Sequence, residues 1–234
     1  GIGSDSDHVT GRVDVVLGEG GQPEYTIQED VAWDHIQTSP RLLDIMATAD
    51  AVCFGTLGQR GPVSRASIRA LASRCSPGAL RVLDVNLRQG FFSRDLVHES
   101  MQAVNVVKLN DEELRILSPM LGITAETPRE QLSGLLEKYS LRLIACTRGG
   151  EGSLLYDGSS FCEQPGLEVR VADTVGAGDS FTSALILGLL KGWPLVQIAE
   201  TANVVAAHVC SCTGAIPPMP ETLTSRFQPS GQPA

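Results

Sequence analysis

The chain has 234 residues, 42% apolar and 19% charged, a balance that supports a packed globular core and excludes general disorder. A net charge of −9 with an isoelectric point near 4.9 leaves no basic footprint for a nucleic-acid partner. No apolar run reaches about 18 residues and no signal-peptide pattern opens the chain, so no membrane partner is expected and a reducing cytoplasm is the expected compartment.

In chain order, Gly11–Leu17 and Glu24–Gln28 flank the turn-forming run Gly18-Glu-Gly-Gly-Gln22, the pattern of a β-hairpin with no crossover helix. Apolar strand-like runs then alternate with helical patterns. Ala49–Phe54, Leu80–Val85, Val104–Leu109, Leu141–Thr147 and Gly152–Tyr156 read as strands. Ser39-Pro40, Ser93 and the capping-box spacing Thr127-Pro-Arg-Glu130 start helices between them. Strand–helix alternation implies a mostly parallel central sheet with helices on both faces, an α/β fold. Six cysteines lack zinc spacing and the four histidines are far apart in sequence, so no metal cage is expected.

The nine residues Asp173-Thr-Val-Gly-Ala-Gly-Asp-Ser-Phe181 carry the chemistry. They run into a helical pattern from Ala177 to about Lys191. The amides of Gly176, Ala177 and Gly178 stand at a helix N-terminus, where unpaired N–H groups and the helix dipole favour an anion. A carboxylate at Asp179 would repel a static phosphate, so its place there points to a base that takes a proton while charge develops nearby. The combination reads as phosphoryl transfer. A dinucleotide fingerprint fails, because Phe181 stands where its third glycine should fall.

Position for position, this run resembles the C-terminal signature of the ribokinase-like sugar kinases, the pfkB carbohydrate kinase family. The resemblance implies a ribokinase-like fold with a small β lid, ATP and Mg²⁺ as cofactors, and a sugar as the second substrate. It makes Asp179 the base for the substrate hydroxyl, and Gly176, Ala177 and Gly178 the cradle of the transferred group. Asn110-Asp-Glu-Glu113 resembles the family's Asn-x-x-Glu element, with Glu113 acting on Mg²⁺ through water. Read from the residues alone, Asn110 and Glu113 equally form a capping box. Thr147-Arg148-Gly149-Gly-Glu-Gly152 resembles the loop that contacts the triphosphate and ribose.

Asp84-Val-Asn86-Leu-Arg88 and Phe54–Arg60 resemble the fructokinase-like branch, which gives Asn86 and Arg88 to the sugar side. Val31–Ile36 adds to this likeness, with Trp33 expected to pack. Asn203 and Val209–Gly214 fall where the family builds its adenine pocket and a monovalent-cation site, to which Asp173 and Thr174 would offer carbonyls for K⁺. The expected layout is thus residues 1–30 as part of a β lid, with a possible homodimer contact, 31–220 as the nucleotide-binding and catalytic core, and 221–234 as a frayed tail. The family's opening strand and Gly-Gly-x-x-x-Asn element have no counterpart before Gly1, and the chain lacks an initial methionine, so a piece of a longer protein is expected. Within the resemblance, ribose, 2-keto-3-deoxygluconate and a nucleoside are alternative substrates, and a non-catalytic nucleotide-binding homologue is the alternative class.

Overall fold

A computed structural model describes residues 3–17 and 23–228. Strands β1 (Val13–Leu17) and β2 (Pro23–Ile27) pair antiparallel, with Val13 opposite Ile27 and Leu17 opposite Pro23. The expected hairpin is therefore present, while its turn at 18–22 lies outside the described residues.

The core sheet holds β3 (Ala51–Gly55), β4 (Leu80–Asp84), β5 (Val106–Asn110), β6 (Leu143–Thr147), β7 (Ser153–Tyr156) and β8 (Phe161–Gln164), in that spatial order. Strands β3 to β6 are parallel, and β7 and β8 add antiparallel. The helices are α1 (Pro40–Ala47), α2 (Pro62–Arg74), α3 (Arg94–Gln102), α4 (Asp111–Met120), α5 (Pro128–Tyr139), α6 (Ala177–Leu190), α7 (Leu195–Cys210) and α8 (Glu221–Thr224). The three sequence-read helix starts are real caps. Ser39 accepts from the Leu42 amide, Ser93 from that of Leu96, and Thr127 and Glu130 cap each other.

Side chains alternate across a strand, and here the alternation sorts the core into two layers. Leu83, Val85, Val107, Leu109, Ile144 and Cys146 pack with α3, α4 and α5. Leu80, Val82, Val106, Leu143, Ala145 and Leu155 pack with α6 and α7 on the other face. Burial on both faces is why these strands read as continuous apolar runs. Two buried charges interrupt them, Asp84 and Lys108. Their even positions put both on the α6 side.

The tail differs from expectation. Residues 221–227 form α8 and a short 3-10 turn, with Leu223 buried in the α6–α7 layer and Phe227 stacked on Trp193 at 5.4 Å. Two apolar anchors suffice to hold a segment whose composition alone suggests fraying; residues 229–234 lie outside the described ones.

Candidate active site

Helix α6 opens at the carboxyl edge of the sheet. Gly176, its N-cap, has φ of 84°, and a Cβ there would overlap the Ala215 carbonyl, so only glycine fits the turn. The Ser180 amide closes the first helical turn on the Gly176 carbonyl at 2.9 Å, and the Ala177 amide reaches the Thr174 carbonyl at 3.3 Å. Among the described residues, no partner reaches the Gly178 or Asp179 amides. Of the amides expected to face an anion, Ala177 spends its N–H on the turn, and Asp179 adds its own to those without a partner. The Asp179 side chain is exposed beside them.

Behind this turn lies a buried polar cluster that the sequence did not disclose. Lys108, 6% exposed, points its Nζ at Asp84 Oδ1 (3.1 Å), and Asp84, 7% exposed, also accepts the Thr182 hydroxyl at 2.7 Å. A Cβ on Gly178 would meet Lys108 Nζ at 3.0 Å, so the ammonium packs directly under the first turn of α6. The charges register nearby: burial first, then Asp84 and also Asp179, push the Cys53 thiol on β3 up to about 11.

Glu113 is buried in the first turn of α4. Its Oε2 accepts the Asn110 amide at 2.9 Å, completing a capping box, and its Oε1 accepts the Leu87 amide at 2.8 Å. Burial raises its pKa against the lowering effect of those amides and of Lys108. The carboxylate thereby ties the loop after β4 to the end of β5. In that loop Asn86 takes φ of 48°, and its carbonyl accepts from the Thr56 hydroxyl at 3.4 Å.

Asn110, Thr147, Gly149, Gly152, Thr174, Ala177, Gly178 and Asn203 all line one cleft of about 570 Å³ between the β6–β7 turn, α6 and α7. Gly152, at φ of 93°, leaves room for the Gln164 carbonyl, which a Cβ would strike. Asn203 is buried and donates to the Gln164 and Pro165 carbonyls, fixing the segment that closes the cleft. Asp173 holds the far rim by accepting the Val175 and Gly214 amides, which keep its carboxyl below the usual range. Of the expected residues, Asn86, Arg88, Glu113, Arg148, Asp173, Gly176 and Asp179 are not part of the cleft's lining. Arg148 turns away to pair with Glu163 at 2.8 Å, and Arg88 is exposed with its guanidinium on the Leu87 carbonyl. Trp33 packs, as expected, against the Arg60 guanidinium at 5.2 Å. Among the described residues, no helix is long and apolar enough to cross a membrane.

Residues 5–222 match the family described as pfkB family carbohydrate kinase. An uncharacterized sugar kinase of Pyrococcus horikoshii is 30% identical over 215 residues, covering 88% of this chain and 64% of that protein. A fructokinase of Solanum tuberosum is 27% identical over 236 residues, covering 96% and 71%. The crystal structure of the Pyrococcus horikoshii sugar kinase with ATP is similar at a TM-score of 0.73 and 28% identity, covering 90% of this chain and 68% of that one. The chain therefore spans 64% to 71% of the length of these relatives.

Proposed function

This chain belongs to the pfkB family of carbohydrate kinases, and on that premise we propose that it transfers the γ-phosphoryl group of ATP to a sugar hydroxyl, with Asp179 as general base. The observation that carries the reading is the first turn of α6. There an exposed carboxylate stands beside two unpartnered amides at the mouth of a cleft lined by Gly149, Gly152, Thr147 and Asn203. Asp179 takes the proton of the hydroxyl, whose oxygen forms a bond to the γ-phosphorus. The bond to the bridging oxygen breaks, and ADP leaves with that electron pair. The amides of Gly178 and Asp179 oppose the charge that develops on the transferred group, and the Lys108–Asp84 pair supports the same turn from beneath.

Magnesium suits the donors present in an outer role. Glu113 keeps a lone pair on each oxygen after its two amide bonds, so it and Asn110 would hold water on a Mg²⁺ carried by the phosphates. When bound, the ion neutralises phosphate charge.

For the sugar we favour fructose, on the likeness of Asp84-Val-Asn86-Leu-Arg88 to the fructokinase-like branch and on the Solanum tuberosum relative. The proposal extends to K⁺ held by carbonyls of Asp173 and Thr174, to a homodimer through the β1–β2 ribbon, and to a cytoplasmic setting. The potassium dependence of turnover and the mass in solution test the first two.

The deciding experiment is coupled ADP release with ATP and Mg²⁺ against fructose, ribose, 2-keto-3-deoxygluconate and a nucleoside. One sugar should stand out, and Asp179→Asn should lower its kcat by about 10²–10⁴-fold, the usual contribution of a general base, with ATP affinity nearly unchanged. Unaltered turnover in that variant removes Asp179 from the mechanism. ATP binding with no sugar-dependent ADP release would make the chain a nucleotide-binding homologue instead.

A further inference from the structure

Away from the cleft, the base of the β1–β2 ribbon gathers residues that are distant in sequence. His8 precedes β1, Asp30 follows β2, and His35 lies just beyond the 3-10 turn Ala32–Asp34 of the core. The rings of His8 and His35 lie face to face, 3.5 Å between centroids and 9° from parallel. His35 Nε2 is 2.7 Å from Asp30 Oδ1, and His8 Nε2 is 4.0 Å from the same oxygen. One donor atom from each of the three residues falls within 4.8 Å of the others.

The second carboxylate of the group fixes the tautomer. Asp5 accepts the amides of Asp7 (2.8 Å) and His8 (3.0 Å), which hold its carboxylate against the His8 ring. His8 Nδ1 lies 3.0 Å from Asp5 Oδ2, so an ionised Asp5 takes the Nδ1–H. In neutral His8 the lone pair is then on Nε2, facing the Asp30 carboxylate across 4.0 Å. A bound cation would bridge these two facing acceptors. An imidazole braced on one side by a carboxylate and open on the other is the arrangement in which histidine binds a metal.

We propose that His8, Asp30 and His35 form a divalent transition-metal site that clamps both legs of the β1–β2 ribbon to the core. Two imidazoles and one carboxylate suit zinc and its neighbours in the series, whereas magnesium prefers an all-oxygen shell. Binding displaces the His35 Nε2 proton now shared with Asp30, which moves to Nδ1 or to solvent. It also turns at least one ring, because stacked imidazoles do not converge on a point; His35 turns more freely, since Asp5 braces His8. Asp30 and His35 also line a second cavity, of about 460 Å³, with Arg60 and Phe91. Metal there would stiffen the ribbon at that cavity's rim. The histidines are distant in sequence, and only the return of the chain through the ribbon brings them together, which is why spacing gave no metal signal.

Competition of Zn²⁺ against a chromophoric chelator tests the proposal, with the Co²⁺ absorption spectrum as a second readout. One ion should bind per chain, His8→Ala and His35→Ala should each weaken binding at least 100-fold, and Asp5→Asn about 10-fold, the range measured for residues that brace a ligand. Hydrogen exchange of residues 9–17 and 26–32 should slow in the presence of Zn²⁺ and be unaffected in the His8→Ala/His35→Ala variant. Equal affinity in the wild type and that double variant would overturn the site. A thiolate charge-transfer band with Co²⁺ would assign the ion to the cysteines and overturn the site equally.

Discussion

Replacing Lys108 by Met, alone and with Asp84→Asn, tests whether the buried pair holds the end of the sheet beneath α6. At the observed 3.1 Å, two unit charges attract by about 5 kcal/mol at an effective dielectric near 20. Much of that offsets the loss of water around both groups, so the pair contributes little net stability as a unit. Breaking it is another matter. With Met at 108, the Asp84 carboxylate stays buried, kept only by the Thr182 hydroxyl, and the expected loss is about 3–5 kcal/mol. Against a total of about 5–15 kcal/mol for a domain, the variant should fold but with a much lower urea midpoint. Lys108→Met/Asp84→Asn removes both charges, and its loss should fall at least 2 kcal/mol short of the sum of the single losses. Equilibrium urea unfolding of the four proteins gives the coupling directly. Additive losses within about 0.5 kcal/mol, or a Lys108→Met cost under 1 kcal/mol, would show that the ammonium is solvated and does not support α6.

Gly176→Ala should destabilise the chain by about 1–3 kcal/mol, through its positive φ and the overlap with the Ala215 carbonyl, and should slow turnover further by displacing the cradle; thermal unfolding and ADP release measure the two effects. Cys53, pushed from 9.0 to about 11, should alkylate with iodoacetamide about 10-fold more slowly at pH 8 than an ordinary thiol of unshifted pKa, its smaller thiolate fraction being partly offset by the greater nucleophilicity of a more basic thiolate. Glu113, whose pKa is raised, binds its proton more tightly folded than unfolded. The stability this adds is fully present below about 4.5 and is lost as pH rises through the folded value. Between pH 4 and 7 the urea midpoint should therefore fall less steeply in Glu113→Gln than in the wild type, and parallel slopes would refute the assignment.

The strands β4 to β7 were legible because burial on both faces writes a continuous apolar run, while β3 reads as an apolar run although none of its residues is buried. The start of β3 was read two residues early, at Ala49; the other two such starts are Val104 and Leu141. Both are buried under helix–strand turns without joining the ladder, so hydrophobicity extends past hydrogen bonding. The four-residue strand β8 escaped, although Asp157-Gly158 before it is a turn signal, and the Asp157 carboxylate closes that turn on the Ser159 and Ser160 amides. Helix α2 escaped as well; Pro62 at its first turn was the available signal. In the candidate site, motifs found the residues that shape the turn and line the cleft: Gly176, Gly178, Gly149, Gly152 and Asn110. What stayed hidden was pairing across strands. Asp84 and Lys108 each read as an isolated charge in an apolar run, and only the parity of their positions, both facing α6, could have joined them.

The antiparallel pair β7–β8 explains how α6 reaches this point. A parallel strand followed by a crossover helix returns the chain to the amino edge of the sheet, ready for the next strand. Strand β6 runs toward the carboxyl edge, β7 runs back, and β8 runs toward that edge again. Two reversals without a helix therefore release the chain after Gln164 on the same edge where β4, β5 and β6 leave Asn86, Asn110 and Thr147. The segment to Gly176 then crosses that edge, pinned by Asn203 at its start and by Asp173 near its end. Helix α6 must start there and run down the opposite face, so its unpaired amides point at the strand ends. The site thus depends on the number of reversals. A single hairpin strand, or a third, would put the first turn of α6 at the far edge of the sheet, away from Lys108 and from the cleft.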